Sequence, residues 1–202
     1  MNHLDSGLLE LLYRAGNRHL AFGVESASDE VLEQANRRFK DWDKVRENIR
    51  TCKKVGIRVT GYFILALPGE TLRSVFETMR LARDLDLDTS RFNLPSSYPG
   101  TGAFQLGLES RLLRPEEFEG TKAEYYSQLV TEGVSAGMKG FRISYSDSIS
   151  DRQALLLWYV ARHRYLGRGH KNSRFVRRLK VWVYLVMIGA IAALNPRRIA
   201  TS

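Results

Sequence analysis

"IRVTGYFILALPGE", residues 57–70, decides the fold. Its second half, Tyr62 to Leu67, is continuously apolar. A strand with one wet face alternates, whereas an unbroken apolar run suits a strand covered on both faces, as in parallel sheets. Pro68-Gly69 ends the run. Leu72, Val75, Phe76 and Met79 then recur at i, i+3, i+4 and i+7, the stripe of an amphipathic helix.

The same alternation extends on both sides. Upstream, Leu8, Leu9, Leu11 and Leu12 face a short helix behind an Asp5/Ser6 cap, and Gly16-Asn17 stop it. "HLAFGVES" (19–26) reads as a buried strand. Ser26 or Ser28 caps the next helix, with Asp29 and Glu30 in its first turn. Asp41 caps another, with Val45, Ile49 and Cys52 on its inner stripe and Gly56 at its end. Downstream, "DTSRFNL" (88–94) is a short strand. Helix, strand, helix pair, strand, helix, strand implies parallel strands joined by crossovers. Three strands are too few for a closed barrel of eight units. The expected fold class is therefore α/β, a partial (half) TIM-like parallel β/α barrel over residues 1–120.

Beyond residue 100 the strand signal fades. "LRPEEF" (113–118) predicts a helix start with Pro115 in first position. Residues 121–149, Gly- and Ser-rich from 133 on, predict a connecting segment. Ser150 and Gln153 match a capping box that opens a helix through "ALLLWYVARHRYL", and a last helix is expected over 172–194. Residues 150–202 form the expected helical C-terminal extension.

Charge divides the chain. The net charge is +9, yet residues 152–202 hold eleven of the 31 Lys/Arg and none of the 22 Asp/Glu, so residues 1–151 carry a net −2. Such a tail suits a polyanionic surface. The one cysteine, Cys52, excludes an intrachain disulfide and any all-cysteine metal site within this sequence. The opening residues lack a signal-peptide pattern, and the expected location is cytoplasmic or peripheral at a membrane.

In parallel α/β sheets, ligands gather at the carboxyl ends of strands. Three turns end there: "GVES" with Glu25, "LPGET" with Gly69 and Glu70, and "SSYPGT" (96–101). These stretches, in this order and with the strands and helices between them, resemble the later half of the radical S-adenosylmethionine (SAM) superfamily core. The closest flavour is the group that often carries a cobalamin-binding domain. The resemblance implies that Glu25, with Ser26 beside it, meets the ribose or amino-acid end of S-adenosylmethionine. It implies that Asn36-Arg37 binds the cofactor carboxylate, for which an arginine fork is suited. Ile64, Leu65 and Ala66 would line the adenine, Pro68-Gly69-Glu70 would form the adjoining turn, and Tyr98-Pro99-Gly100 would close the rim beside the substrate.

Two departures stand out. Ala66 occupies the position of the family's usual glycine. The family's Cys-x3-Cys-x2-Cys loop, which holds a 4Fe–4S cluster through thiolates, is absent. The resemblance thus implies a fragment, or the product of a truncated gene, inactive alone and completed by a missing N-terminal half. A full-length parent would add the cluster, and cobalamin in some subgroups. Its chemistry would be radical-mediated modification or methylation of a lipid, tetrapyrrole or natural product. The alternative is a non-enzymatic module that uses the basic tail for a membrane or a partner.

That tail, "RFVRRLKVWVYLVMIGAIAAL" (174–194), joins four bases to an apolar run, Val181 to Leu194. As a helix the run spans about 21 Å, short of the ~30 Å hydrocarbon core. Peripheral membrane contact through 172–198 and packing into the core are both open readings. Nucleic acid is disfavoured, because no stacking-sheet motif accompanies the aromatics. His163 and His170 lack further ligands for a metal.

Overall fold

The computed structural model describes residues 4–35, 41–96, 99–100, 102–117, 120–121, 124, 144–165, 182–188 and 190. Helix α1 (Ser6–Arg14) starts at Asp5, whose carboxylate accepts from Leu8 N at 2.8 Å. Strand β1 (His19–Glu25) follows. Helix α2 (Asp29–Gln34) is capped by Ser28, and α3 (Trp42–Val55) by Asp41, whose carboxylate accepts from the backbone of Asp43 and Lys44. Gly56 ends α3 at φ 90°, a left-handed stop that favours glycine. Strand β2 (Arg58–Ile64) leads to α4 (Leu72–Asp84), whose Thr71/Ser74 capping box holds both ends of its first turn. Strand β3 (Thr89–Asn93) and helix α5 (Gly102–Glu109) come next, then α6 (Asp151–Tyr165). Residues 182–188 are also helical.

The three strands pair in parallel in the order β1-β2-β3. Sequential order with right-handed crossovers places every connecting helix on one face, the singly wound pattern of barrels rather than of doubly wound sheets. The fold is α/β, a three-stranded arc of the β/α-barrel type.

The helix-side face of this arc is the core. Val59 and Phe63 of β2 are fully buried with Val24 of β1, Ile49 and Cys52 of α3 and Val75 of α4. Phe63 stacks on Phe92 of β3, with ring centroids 4.8 Å apart. Gly61 is required for close approach, since a Cβ there would lie 2.5 Å from the Leu87 side chain. At the other end of the strands, Asp88 pins β2: its carboxylate accepts from Val59 N at 2.7 Å and its own N–H donates to Val59 O.

Helix α6 enters through the expected capping box, with Ser150 N donating to Gln153 Oε1 and Gln153 N to Ser150 Oγ. It shares the sheet's core: Leu157, Val160 and Ala161 are fully buried in the same cluster, and Trp158 Nε1 donates to Phe92 O at 2.7 Å.

Four local expectations change. Strand β2 stops at Ile64, and Leu65-Ala66-Leu67 turn inward as a buried loop because Ala66 leaves the extended region at φ 64°. Of the two cap candidates Ser28 is the cap, and Ser26 is buried and bonded to Glu70. Pro115 opens only a three-residue 3-10 turn, Pro115–Glu117. Helix α5 had no periodic apolar signal to announce it.

Candidate functional site

Parallel pairing brings all three strand ends to one rim. In a parallel sheet, residues paired in register lie on the same face. Gly23, Tyr62 and Arg91 therefore form a row across the three strands, on the face away from the core. Tyr62 and Arg91 are exposed, as is Asn93 nearer the rim, and Ile64 beside it is half-buried. Among the described residues this is the more exposed face of the sheet toward the strand ends.

The Glu25 carboxylate lies over Gly23 on that face, where β1 is irregular in two ways. The β1–β2 register slips between Gly23 and Glu25, a bulge, and Glu25 itself sits at φ 68°. Bulges re-aim side chains, and a left-handed conformation costs a non-glycine residue about 1–2 kcal/mol. The carboxylate then folds back over Gly23: a Cβ on Gly23 would lie 2.1 Å from Glu25 Oε1. Gly23 is thus the seat on which the Glu25 carboxylate rests, in the same row as Tyr62 and Arg91.

The second rim turn has a different character. Glu70 is completely buried, and its carboxylate accepts from Ser26 Oγ and Leu67 N, each at 3.1 Å. Burial pushes its pKa up to about 7 against the pull of these donors. Ser26 also meets Thr78 Oγ1 at 3.3 Å, and Thr78 Oγ1 accepts from Ala27 N. The Glu70 side chain is spent inside the fold, joining the end of β1 to the loop after β2. Segment 144–150 stitches the same loop from outside. Tyr145 N donates to Ala66 O at 2.8 Å, and Ser146 Oγ donates to Glu70 O.

Of the residues singled out in the sequence, Glu25 and Ile64 sit on or beside the exposed face. Ser26, Leu65, Ala66 and Glu70 are buried behind it. Pro68 is half-buried and Gly69 exposed, at φ 75° against the Gln34 amide. Asn36, Arg37 and Tyr98 lie outside the described residues. Pro99-Gly100 is a turn whose glycine is demanded by φ 86°; nothing lies within 4 Å of a Cβ placed there, so close approach by the protein is not the reason. Tyr62, Arg91 and Asn93 escaped sequence reasoning. The signal that finds them is the parity of the strand: they alternate with buried Phe63 and Phe92.

The residues present do not fit an iron–sulfur cluster. Cys52 is fully buried on α3 in the core, and burial pushes its thiol pKa up, away from the thiolate a soft metal needs. Among the described residues no cluster of three or more His, Cys, Asp or Glu could hold a metal ion.

The family model described as the radical SAM superfamily matches residues 2–82. An uncharacterized methyltransferase of Pyrococcus horikoshii is 29% identical over 113 residues, 56% of this chain and 24% of its own length. A tRNA-2-methylthio-N(6)-dimethylallyladenosine synthase of Hydrogenovibrio crunogenus is 30% identical over 125 residues, 60% of this chain and 26% of its own length. The chain thus spans about a quarter of the length of each of these relatives. Among solved structures, the radical S-adenosylmethionine methyltransferase TsrM of Kitasatospora setae, with cobalamin and an iron–sulfur cluster bound, aligns with a TM-score of 0.40. It is 23% identical, over 44% of this chain and 17% of that one.

Proposed function

From the match of residues 2–82 to the radical SAM superfamily model we propose that the chain is part of a radical SAM enzyme and that its exposed sheet face is the S-adenosylmethionine-binding wall. The observation that carries the reading is Glu25, held at φ 68° over Gly23. Strained residues of this kind collect at ligand sites, where the strain fixes a side chain in advance. Here it presents a carboxylate to hydroxyl or ammonium donors. Ile64 offers apolar contact for a base. Arg91 makes no hydrogen bond or ion pair among the described residues, and its fork suits a carboxylate.

Together, bound S-adenosylmethionine and a reduced cluster supply radical chemistry. In this proposal the cluster is held by cysteines outside these 202 residues. The far edge of β1 is unpaired among the described residues, and it offers a parallel strand of that cluster-bearing part a place to pair. The chain alone then binds the cofactor without turning it over. The finer chemistry proposed is radical modification or methylation of a tetrapyrrole, lipid or natural product, with cobalamin in a full-length parent.

Titration calorimetry with S-adenosylmethionine tests the reading. We expect binding by the 202-residue chain and at least a tenfold loss in Glu25→Ala, with unchanged unfolding. Absence of binding by the wild type would sink the assignment. A full four-iron cluster on the isolated chain after anaerobic reconstitution would sink the division of labour.

A further inference from the structure

The helical residues 182–188 carry two opposed apolar faces. Tyr184, Leu185 and Ile188 face inward: Ile188 is buried in the sheet's core, and the other two pack against it. Tyr184 stacks on Tyr159 of α6 with centroids 5.5 Å apart, and Tyr159 meets Trp158 edge-on at 5.1 Å. Trp158 is itself hydrogen-bonded to β3. This stretch is therefore docked on the domain.

Trp182, Val183, Val186 and Met187 point the other way. They are 63%, 41%, 52% and 46% exposed, and they are four of the seven large hydrophobics exposed among the described residues. At 3.6 residues per turn they share one contiguous stripe of about 140°. An unpartnered apolar stripe of this kind marks an interaction surface.

Charge chooses the partner. From residue 152 to the end the chain holds eleven Lys/Arg and no acid, with Arg174, Arg177, Arg178 and Lys180 just before the stripe and Arg197 and Arg198 after it. A second copy of this segment would set base against base. An anionic bilayer supplies the missing negative charge and an apolar layer together. No helix among the described residues is long and apolar enough to cross a membrane. A tryptophan at the end of the stripe suits the headgroup boundary.

We infer that the face formed by Trp182, Val183, Val186 and Met187 lies in the headgroup region of an anionic lipid surface, with the domain held beside the membrane. The inference is independent of the cofactor reading, since neither Glu25 nor the exposed sheet face takes part.

Flotation of the 202-residue chain with phosphatidylcholine vesicles, with and without phosphatidylglycerol, tests it. We expect binding to the anionic vesicles only, weakened at high salt. The Val183→Ser/Val186→Ser/Met187→Ser variant should bind at least tenfold more weakly. Should that variant fail to fold, quenching of wild-type fluorescence by brominated anionic lipid, lost in Trp182→Phe, reads the same contact. Equal flotation with neutral vesicles, undiminished binding by the folded triple variant, or quenching that survives Trp182→Phe overturns the inference. So does a concentration-dependent dimer that the triple variant abolishes while the wild type ignores lipid.

Discussion

Ser26 Oγ donates to Glu70 Oε1 at 3.1 Å, across 44 residues of chain and wholly inside the protein. This bond joins two adjacent strand-end loops, so the position of the β1 end is set by the protonation and packing of a residue beyond β2.

Glu70 should give stability a pH signature. Burial raises its pKa from 4.5 to about 7, so the folded state holds the proton more tightly than the unfolded chain does. The contribution is full below about pH 4.5 and is lost as pH rises toward 7, levelling above it. Its size is roughly 3 kcal/mol at most. Glu70→Gln keeps one acceptor for Leu67 N and offers an N–H to Ser26 Oγ. Chemical denaturation from pH 4.5 to 8 should show the variant gaining on the wild type by a few kcal/mol. Parallel curves would exclude Glu70 as the titrating group.

Ala66 should tolerate glycine where another buried alanine does not. At φ 64° its methyl is strained, and removing it relieves about 1–2 kcal/mol while losing a similar amount in burial and chain entropy. Ala66→Gly is expected within about 1 kcal/mol of wild type. Ala82→Gly, in the interior of α4, should cost about 1–2 kcal/mol. Equal losses in urea titrations would remove the backbone explanation for tolerance of glycine at this position.

Gly23→Ala should weaken cofactor binding without contributing a ligand contact of its own. The added Cβ would meet Glu25 Oε1 at 2.1 Å and push the carboxylate off its seat. We expect about a tenfold loss of affinity, roughly 1.4 kcal/mol, by the same calorimetry. Glu25→Gly makes the converse case: it relieves φ 68° and should unfold at a higher temperature while binding poorly. Affinity unchanged in both variants would separate Glu25 from the site.

Trp158→Phe should loosen α6 from the sheet. It deletes the 2.7 Å bond to Phe92 O, at a cost of about 1 kcal/mol. Since α6 and the sheet share one core, calorimetry should still show one transition at a lower temperature. A second, separate transition would mean that α6 unfolds alone.

The strands, the helix pair and most caps were legible because their signals are local: apolar runs, 3.6-residue stripes, and Asp, Ser or Gly at helix ends. The fine structure of the rim was not. Ser26 and Ser28 read as equal candidates for the cap before Asp29 and Glu30; only tertiary structure brings Glu70 and Thr78 to the Ser26 hydroxyl. Leu65 to Leu67 continue the apolar run of β2, and no residue type announces that Ala66 turns left-handed. The stretch read as a connection hid the largest surprise. Ser144 and Ser146 are fully buried, because their hydroxyls find backbone partners, and a serine's sequence context does not reveal a partner 76 residues away.

That distant partnership has a consequence for synthesis. The loop after β2 is finished only when Tyr145 and Ser146 arrive to bond Ala66 and Glu70. On a ribosome, domains assemble from the amino end as they emerge, but this rim must wait for a segment made long after its own strands. Until then the nascent arc carries the unmet polar groups of an unfinished loop, and premature release at that stage would yield a chain with its sheet paired and its rim unset.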